Sequence, residues 1–151
     1  MNTPELVPLF TLQVEIDVPV MSNTTLGTRV TSFVRGGKFT GERLSGTLLP
    51  GGGDWAVIDT EGTFRIDARL ALQIDGGPIV HMSYRGRLTM PQDAMQRMAG
   101  GETLDPEGVY FRTAPVFEVE PGEYGWLNRV QAVAKGTLGP GVAPFEVYEL
   151  T

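Results

Sequence analysis

Cysteine is absent from this chain, and histidine occurs once, at His81. Without thiols the chain cannot form disulfides, thiolate nucleophiles, zinc–cysteine sites or iron–sulfur clusters. A single imidazole excludes a multi-histidine metal site and argues against a histidine-based catalytic triad. We therefore predict no metal site and no cofactor.

Basic residues are also scarce. The chain has 12 Lys and Arg against 18 Asp and Glu, and its formal net charge is −6. Nucleic acids and anionic membranes are bound through a basic surface, and no run of basic residues is present to form one. The sequence therefore predicts neither nucleic acid nor membrane as a partner.

Long apolar runs are missing as well. A membrane-spanning helix needs about 20 consecutive apolar residues, and none is found. Residues 1–5 lack the basic start and apolar stretch of a signal peptide, so a cytoplasmic location is expected. A chain of 151 residues suffices for one core, and we expect one domain over residues 1–151.

Glycine and proline, by contrast, are abundant and evenly spread, with 20 and 11 copies. Such punctuation is typical of an all-β chain with many short connections. Apolar and polar residues alternate from Phe10 to Val18, and again from Phe64 to Ile74. This period of two predicts half-buried strands.

The same signals place the other elements. Two glycines, Gly36 and Gly37, predict a hairpin turn between strands at 30–35 and 38–39. Further strands are predicted at 63–74 and 126–135. One short helix is expected over 91–99, where a proline stands in the first turn and two glycines follow.

Four motifs make the chain recognisable: LPGGGDW at 49–55, DAR at 67–69, YFRTAPVFE at 110–118 and YGWLN at 124–128. With this order and spacing the chain resembles the DUF3237 (UPF0311) family, from about Gly27 to Tyr148. The resemblance implies an antiparallel β-barrel and no established activity. We expect one up-and-down barrel of about eight to ten strands, with a short helix near an opening.

The motifs carry the candidate site. Asp67 and Arg69 share one face of a strand, as do Tyr110 and Arg112. The same spacing relates Tyr124, Trp126 and Asn128. These faces either converge on an internal cavity or face solvent, with the apolar residues of the long strand filling the core. Arg112 is expected to pair with Asp54 or Asp67, because a buried guanidinium needs a partner.

The glycine-rich segment before Asp54 and Trp55 is not a phosphate loop, since it precedes a strand and lacks the Gly-Lys-Ser/Thr ending. It forms a tight corner that aims Asp54 or Trp55 inward, or a structural turn in which the aspartate caps backbone N–H groups. Trp126 is a core residue or a stacking surface. Asn128 donates to an oxyanion or satisfies backbone groups.

Together these features predict a small-molecule-binding barrel, and we expect a homodimer. The leading hypothesis is a cofactor-independent acid–base enzyme, of isomerase, cyclase or lyase type, acting on a small hydrophobic or aromatic oxygenated substrate. The predicted roles are a base at Asp54 or Asp67, anion binding at Arg69 and Arg112, hydrogen bonding by Tyr110 or Tyr124 with Asn128, and an apolar wall from Trp55 and Trp126. The alternative is a carrier that binds a hydrophobic metabolite without transforming it.

Overall fold

The computed structural model describes residues 2–151, which form eleven β-strands and one short α-helix. The strands are β1 (Leu6–Ile16), β2 (Val20–Thr24), β3 (Gly27–Thr40), β4 (Gly46–Leu48), β5 (Gly53–Ile58), β6 (Phe64–Ile74), β7 (Ile79–Thr89), β8 (Tyr110–Thr113), β9 (Val116–Glu118), β10 (Ala132–Gly136) and β11 (Val142–Leu150). Helix α1 (Ala94–Ala99) follows β7, and two short 3-10 helices cover Pro106–Gly108 and Gly125–Arg129. Within the described residues no helix is long and apolar enough to cross a bilayer.

Eight of the strands close into a barrel. In spatial order they are β1, β3, β5, β6, β7, β8, β10 and β11, and β11 returns to β1. Every pairing is antiparallel, and the spatial order follows the chain order. The predicted up-and-down antiparallel barrel with one short helix is therefore confirmed. Strands β2, β4 and β9 pair outside this ring.

Strand β6 shows how the pattern of residues determines the inside of the barrel. Its six apolar positions from Phe64 to Ile74 are all buried, while Arg65, Asp67 and Arg69 on the other face are exposed. Burying a large apolar side chain contributes about 1.5–3 kcal/mol, so the apolar row turns inward. The sequence left open whether the charged row faces the cavity or the solvent, and in β6 it faces the solvent.

The barrel interior is packed at one end and hollow at the other. At the packed end Phe10 lies 5.5 Å from Phe39 and 6.1 Å from Phe117, measured between ring centroids. Leu12 and Leu72 complete this packing with almost no exposed surface. At the hollow end the inward side chains leave a cavity.

The predicted hairpin at Gly36 and Gly37 is wrong, because β3 runs through both glycines as one strand. The register with β1 shifts at Glu15 and Ile16, which marks a β-bulge. Gly37 has φ +145°, and a Cβ there would overlap the carbonyl oxygen of Gln13. The glycines thus bend a long strand instead of ending it.

Two other boundaries differ from the prediction. The strand expected at 126–135 begins only at Ala132, and Gly125–Arg129 is a 3-10 helix. Leu127 in this helix is fully buried, so packing at the end of the barrel outweighs the extended pattern. The helix expected over 91–99 is present and shorter, at Ala94–Ala99.

Candidate functional site

The hollow end of the barrel contains a cavity of about 120 Å³. Its wall is apolar except at three positions, Ser32, Asp54 and Tyr84, and among residues 2–151 Asp54 is the only charged side chain that lines it. Three phenylalanines, Phe64, Phe111 and Phe145, contribute aromatic surface. Across residues 2–151, no group of three or more His, Asp or Glu side chains comes together as a metal site requires.

Alternation along β5 aims Asp54 into the cavity. Asp54 and Ala56 both line it, whereas Trp55 between them is 40% exposed on the outer surface. The sequence left Asp54 and Trp55 as alternatives for the inward position, and the structure places Asp54 there. Gly53 allows this arrangement, because a Cβ there would lie only 3.2 Å from the Trp55 ring.

A backbone hydrogen bond holds the Asp54 carboxylate in place. Its Oδ1 accepts the N–H of Asp67 on β6 at 3.0 Å. Backbone pairing of β5 with β6 is present at Asp54 and resumes at Val57, with no paired residue between them. The carboxylate therefore takes a donor that the sheet leaves available, and its position is fixed before any ligand binds.

Burial raises the pKa of Asp54 from 3.8 to about 6. Loss of hydration is the largest cause, and the nearby Asp67 carboxylate raises the pKa further, while the Asp67 N–H bond opposes both. A carboxyl group with this pKa exchanges protons close to neutral pH. That property suits a general base or acid.

Tyr84 lies on the same rung of the barrel as Asp54. Asp54 on β5 pairs with Ala68 on β6, and Ala68 pairs with Tyr84 on β7. All three side chains face inward, and the Tyr84 ring packs against Phe145 with centroids 5.8 Å apart. Burial and the charge of Asp54 raise the pKa of Tyr84, so its hydroxyl stays protonated and remains a hydrogen-bond donor.

Three methionines contribute to the cavity wall. Met95 and Met98 on α1, together with Met90 before it, line the cavity and are partly buried against the core. Thioether side chains are flexible and adapt their shape to a neighbour. This part of the wall can therefore adjust to the shape of a bound molecule.

Asp67, Arg69 and Arg112 lie on the outer surface of the barrel, and the structure does not bring them to the cavity. The Asp67 carboxylate is 3.9 Å from Arg85, and both side chains are more than half exposed. The predicted pairing of Arg112 with an aspartate is wrong, because Arg112 donates to the Phe111 carbonyl at 3.0 Å instead. Its guanidinium also stacks 4.6 Å from the Tyr110 ring.

The remaining predicted residues also lie away from the cavity. Trp55 packs edge-to-face on Phe33 outside the barrel, with centroids 6.4 Å apart. The Arg43 guanidinium stacks on the Trp126 ring, 3.6 Å from the ring centroid. Tyr124, two residues earlier, is partly buried. Tyr110 is 55% exposed. The catalytic or ligand-binding roles given to these four residues stay predictions without support from the cavity.

Asn128 has a backbone-satisfying role in the structure. Its Oδ1 accepts the N–H of Val119 at 2.9 Å, and its Nδ2 donates to the carbonyls of Val119 and Gly125. This geometry matches the second of the two roles left open by the sequence. Both N–H groups of the amide and one acceptor position of its oxygen are used by the backbone, and Asn128 does not line the cavity.

Sequence reasoning missed Tyr84 and Ser32. Tyr84 belongs to an alternating row that includes Val80 and Met82, and all three are buried. Ser32 stands between Val30 and Val34 in the corresponding row of β3. A hydroxyl-bearing side chain inside an otherwise apolar row was the signal that could have identified both.

Comparison with known proteins identifies the family. Residues 4–150 match the family described as a protein of unknown function, DUF3237. The chain belongs to the DUF3237 family. Among curated relatives, a UPF0311 protein of Bradyrhizobium diazoefficiens is 33% identical over 143 residues, which cover 94% of this chain and 93% of the relative.

Solved structures of other proteins share the barrel. A conserved protein of unknown function from Rhodopseudomonas palustris superimposes with a TM-score of 0.91 at 27% identity, covering 100% of both chains. An enzyme from Penicillium herquei superimposes with a TM-score of 0.72 at 18% identity, covering 100% of this chain and 97% of the other. At that identity the second comparison supports the fold alone.

Proposed function

We propose that the hollow end of the barrel is the active site of a cofactor-independent acid–base enzyme. The observation that carries the proposal is a single carboxylate, Asp54, with a pKa of about 6 inside a cavity whose other lining is apolar apart from Ser32 and Tyr84. Buried acids with pKa values displaced towards neutrality occur often at catalytic sites. The Penicillium herquei protein with the same fold is described as an enzyme, which agrees with a catalytic use of this barrel.

In the proposed reaction, Asp54 removes a proton from the substrate and later returns it at another atom. The Tyr84 hydroxyl donates a hydrogen bond to the substrate oxygen on which negative charge develops. Both groups lie on one rung of the wall, so they contact neighbouring atoms of a small molecule. Isomerisation, cyclisation and elimination next to a carbonyl or phenol all use this pair of roles.

The cavity also restricts the substrate. An engineered cavity of about 150 Å³ lined by apolar side chains holds one benzene molecule, so a space of about 120 Å³ suits a compact single ring. An anionic substrate would lose its hydration without finding a positive charge in this wall, and a cationic one would pair with the Asp54 carboxylate and weaken it as a base. We therefore propose a neutral, monocyclic, oxygenated substrate.

A carrier without catalytic activity is the second candidate function. The observation that favours it is the apolar wall, which would bind a hydrophobic ligand whether or not Asp54 reacts. The two functions differ in what happens to a proton of the ligand. An exchange experiment separates them.

Monocyclic aryl ketones and phenols provide suitable probes in D2O. If the proposal holds, the protein exchanges the hydrogen next to the ketone carbonyl for deuterium, as followed by proton NMR, and the rate rises through about pH 6 as Asp54 ionises. Asp54→Asn should abolish exchange and retain thermal stabilisation by the probe, while Asp67→Asn serves as the matched control. Stabilisation by a probe without exchange would favour the carrier, and exchange that survives in Asp54→Asn would exclude Asp54 as the base.

A further inference from the structure

Strand β2 is an open edge of the sheet. It pairs with β3 alone, and all five of its residues are exposed. Strand β1 pairs with the same edge of β3 as β2 does, and the free edge of β1 is in turn paired with β11. This second pairing ends where the Ile16 N–H donates to the Gly141 carbonyl. Beyond that point β2 continues along β3, and no other strand of the described part of the chain lies beside it.

The groups exposed along this edge follow from the register. Thr24 pairs with Gly27 across a two-residue turn, and such a closing pair is hydrogen-bonded. Because hydrogen-bonded pairs alternate, Ser22 and Val20 bond to β3. The N–H and C=O groups of Met21 and Asn23 therefore point away from β3 and towards the open side.

Strand β9 also has a single strand partner, yet its edge is protected. It follows Pro115, ends at Glu118, and the next residue bonds to Asn128. Proline, charge and local cover are the usual protections of a sheet edge. The sequence of β2, VMSNT, has neither charge nor proline.

Exposed apolar side chains surround this edge. Val18 is 89% exposed, Val20 61%, Met21 47% and Leu26 67%. Val20 and Met21 point to opposite faces of β2, so apolar side chains flank the edge on both sides, on a chain with a net charge of −6. A surface of this kind is typical of a protein contact.

We propose that β2 is a homodimer interface, at which a second copy of this chain adds its own β2 in antiparallel orientation. Two identical strands that pair antiparallel are related by a twofold axis, so the contact closes at two copies. Because β2 is uncharged, two acidic copies meet here without opposed carboxylates. A strongly basic or acidic partner would find no charge on β2 to complement its own.

The second strand would also extend the wall of the cavity. Met21 is on the rung of Val30 and Ala56, which both line the cavity, and Pro19 before β2 lines it too. The inner side of β2 therefore adjoins the cavity wall. Pairing with a second copy would cover Met21 beside this wall.

The test measures mass and amide exchange on the full chain. Light scattering should give twice the chain mass of 16.4 kDa, and hydrogen exchange should show protection of the Met21 and Asn23 amides that is lost on dilution. Asn23→Pro removes an edge-facing N–H together with the side-chain oxygen that accepts from the Thr28 hydroxyl, and Val20→Lys places a charge at the edge while keeping both. Both variants should be monomeric with an unchanged circular dichroism spectrum, while Thr60→Lys, in an exposed turn, should remain dimeric.

Three results would overturn the proposal. They are a wild-type protein of single-chain mass at every concentration, a dimer that persists in both β2 variants, and unprotected Met21 and Asn23 amides in a wild-type dimer. The exchange measurement needs no variant, so it decides the question even if Asn23→Pro fails to fold. None of these readouts depends on whether Asp54 is catalytic.

Discussion

Asp54 and Tyr84 are separated on their rung of the barrel only by Ala68. Because alanine ends at Cβ, the space above it is left to the carboxylate on one side and the phenol on the other. The charge of Asp54 contributes to the raised pKa of Tyr84, so the two groups interact electrostatically. A large residue at position 68 would place apolar atoms between them.

Asp54→Asn is expected to stabilise the protein at high pH. Since folding raises the pKa of Asp54 from 3.8 to about 6, the folded state binds this proton more tightly, and stability falls as pH rises across that window. At about 1.36 kcal/mol per pKa unit, the gain at pH 8 has an upper limit of about 3 kcal/mol. Urea denaturation should show this gain at pH 8 and none below pH 3.8. An equal gain at both pH values would contradict the assignment.

Asp59→Asn is expected to show the opposite pH dependence. The N–H groups of Thr63 and Glu61 and the guanidinium of Arg65 bond to the Asp59 carboxylate, and they lower its pKa. The stability from this lowered pKa is present above 3.8 and is lost as pH falls through the folded pKa. The variant should therefore be less stable than wild type at neutral pH, with the difference fading in acid, in the same denaturation series.

Ala56→Leu is expected to fill the cavity with little effect on stability. Ala56 is 2% exposed and lines the cavity, so added methyl groups enter empty space. Ala132→Leu is the matched control, because Ala132 is 0% exposed and has no cavity beside it. Overpacking there should cost about 1–3 kcal/mol. Thermal stabilisation by a monocyclic ligand should disappear in Ala56→Leu, and its survival would place the ligand elsewhere.

Asn128→Ala is expected to lower the stability of the protein and to leave its deuterium-exchange activity unchanged. The substitution leaves the N–H and C=O of Val119 without their side-chain partner. An unsatisfied group of this kind costs about 1–3 kcal/mol. Asn128→Asp keeps the acceptor for the Val119 N–H and should lose less at high pH. A variant of normal stability that had lost deuterium exchange would instead support the catalytic role predicted from the sequence.

Gly37→Ala is expected to be more damaging than Gly51→Ala. Both glycines have positive φ, at +145° and +106°. A Cβ at Gly37 would overlap the Gln13 carbonyl oxygen, whereas nothing lies within 4 Å of a Cβ at Gly51. Strain alone costs about 1–3 kcal/mol, and the overlap should raise the loss at Gly37 above about 3 kcal/mol. Chemical denaturation of the two variants measures the difference.

Much of the fold follows from alternation and turn residues, because both act locally. The row from Phe64 to Ile74 predicts the inward face of β6, and burial confirms it. Gly36 and Gly37 were misjudged because a glycine pair fits a bulge as well as a turn, and only pairing with β1 decides between them. The 3-10 helix at Gly125–Arg129 depends on burying Leu127, which is a tertiary effect.

The site was harder to predict than the fold. Asp54 was identified as a candidate because glycines precede it, and the structure aims its carboxylate into the cavity. Asp67 and Arg69 share the motif spacing that favours a common face, but spacing alone does not say whether that face is inside or outside. Tyr84 received no predicted role, because Asp54 is 30 residues away in the sequence. The two residues share a rung only once the strands pair.

A barrel that is solid at one end and hollow at the other separates two kinds of evolutionary constraint. Substitutions around Phe39 or Leu12 mainly affect the stability of the fold. Substitutions at Val30 or Leu88 also change the shape of the cavity proposed to bind a small molecule. The lining can therefore diversify while the scaffold is preserved. A few exchanges of aliphatic side chains in the lining would change which small molecule fits, while the packed end keeps the barrel folded.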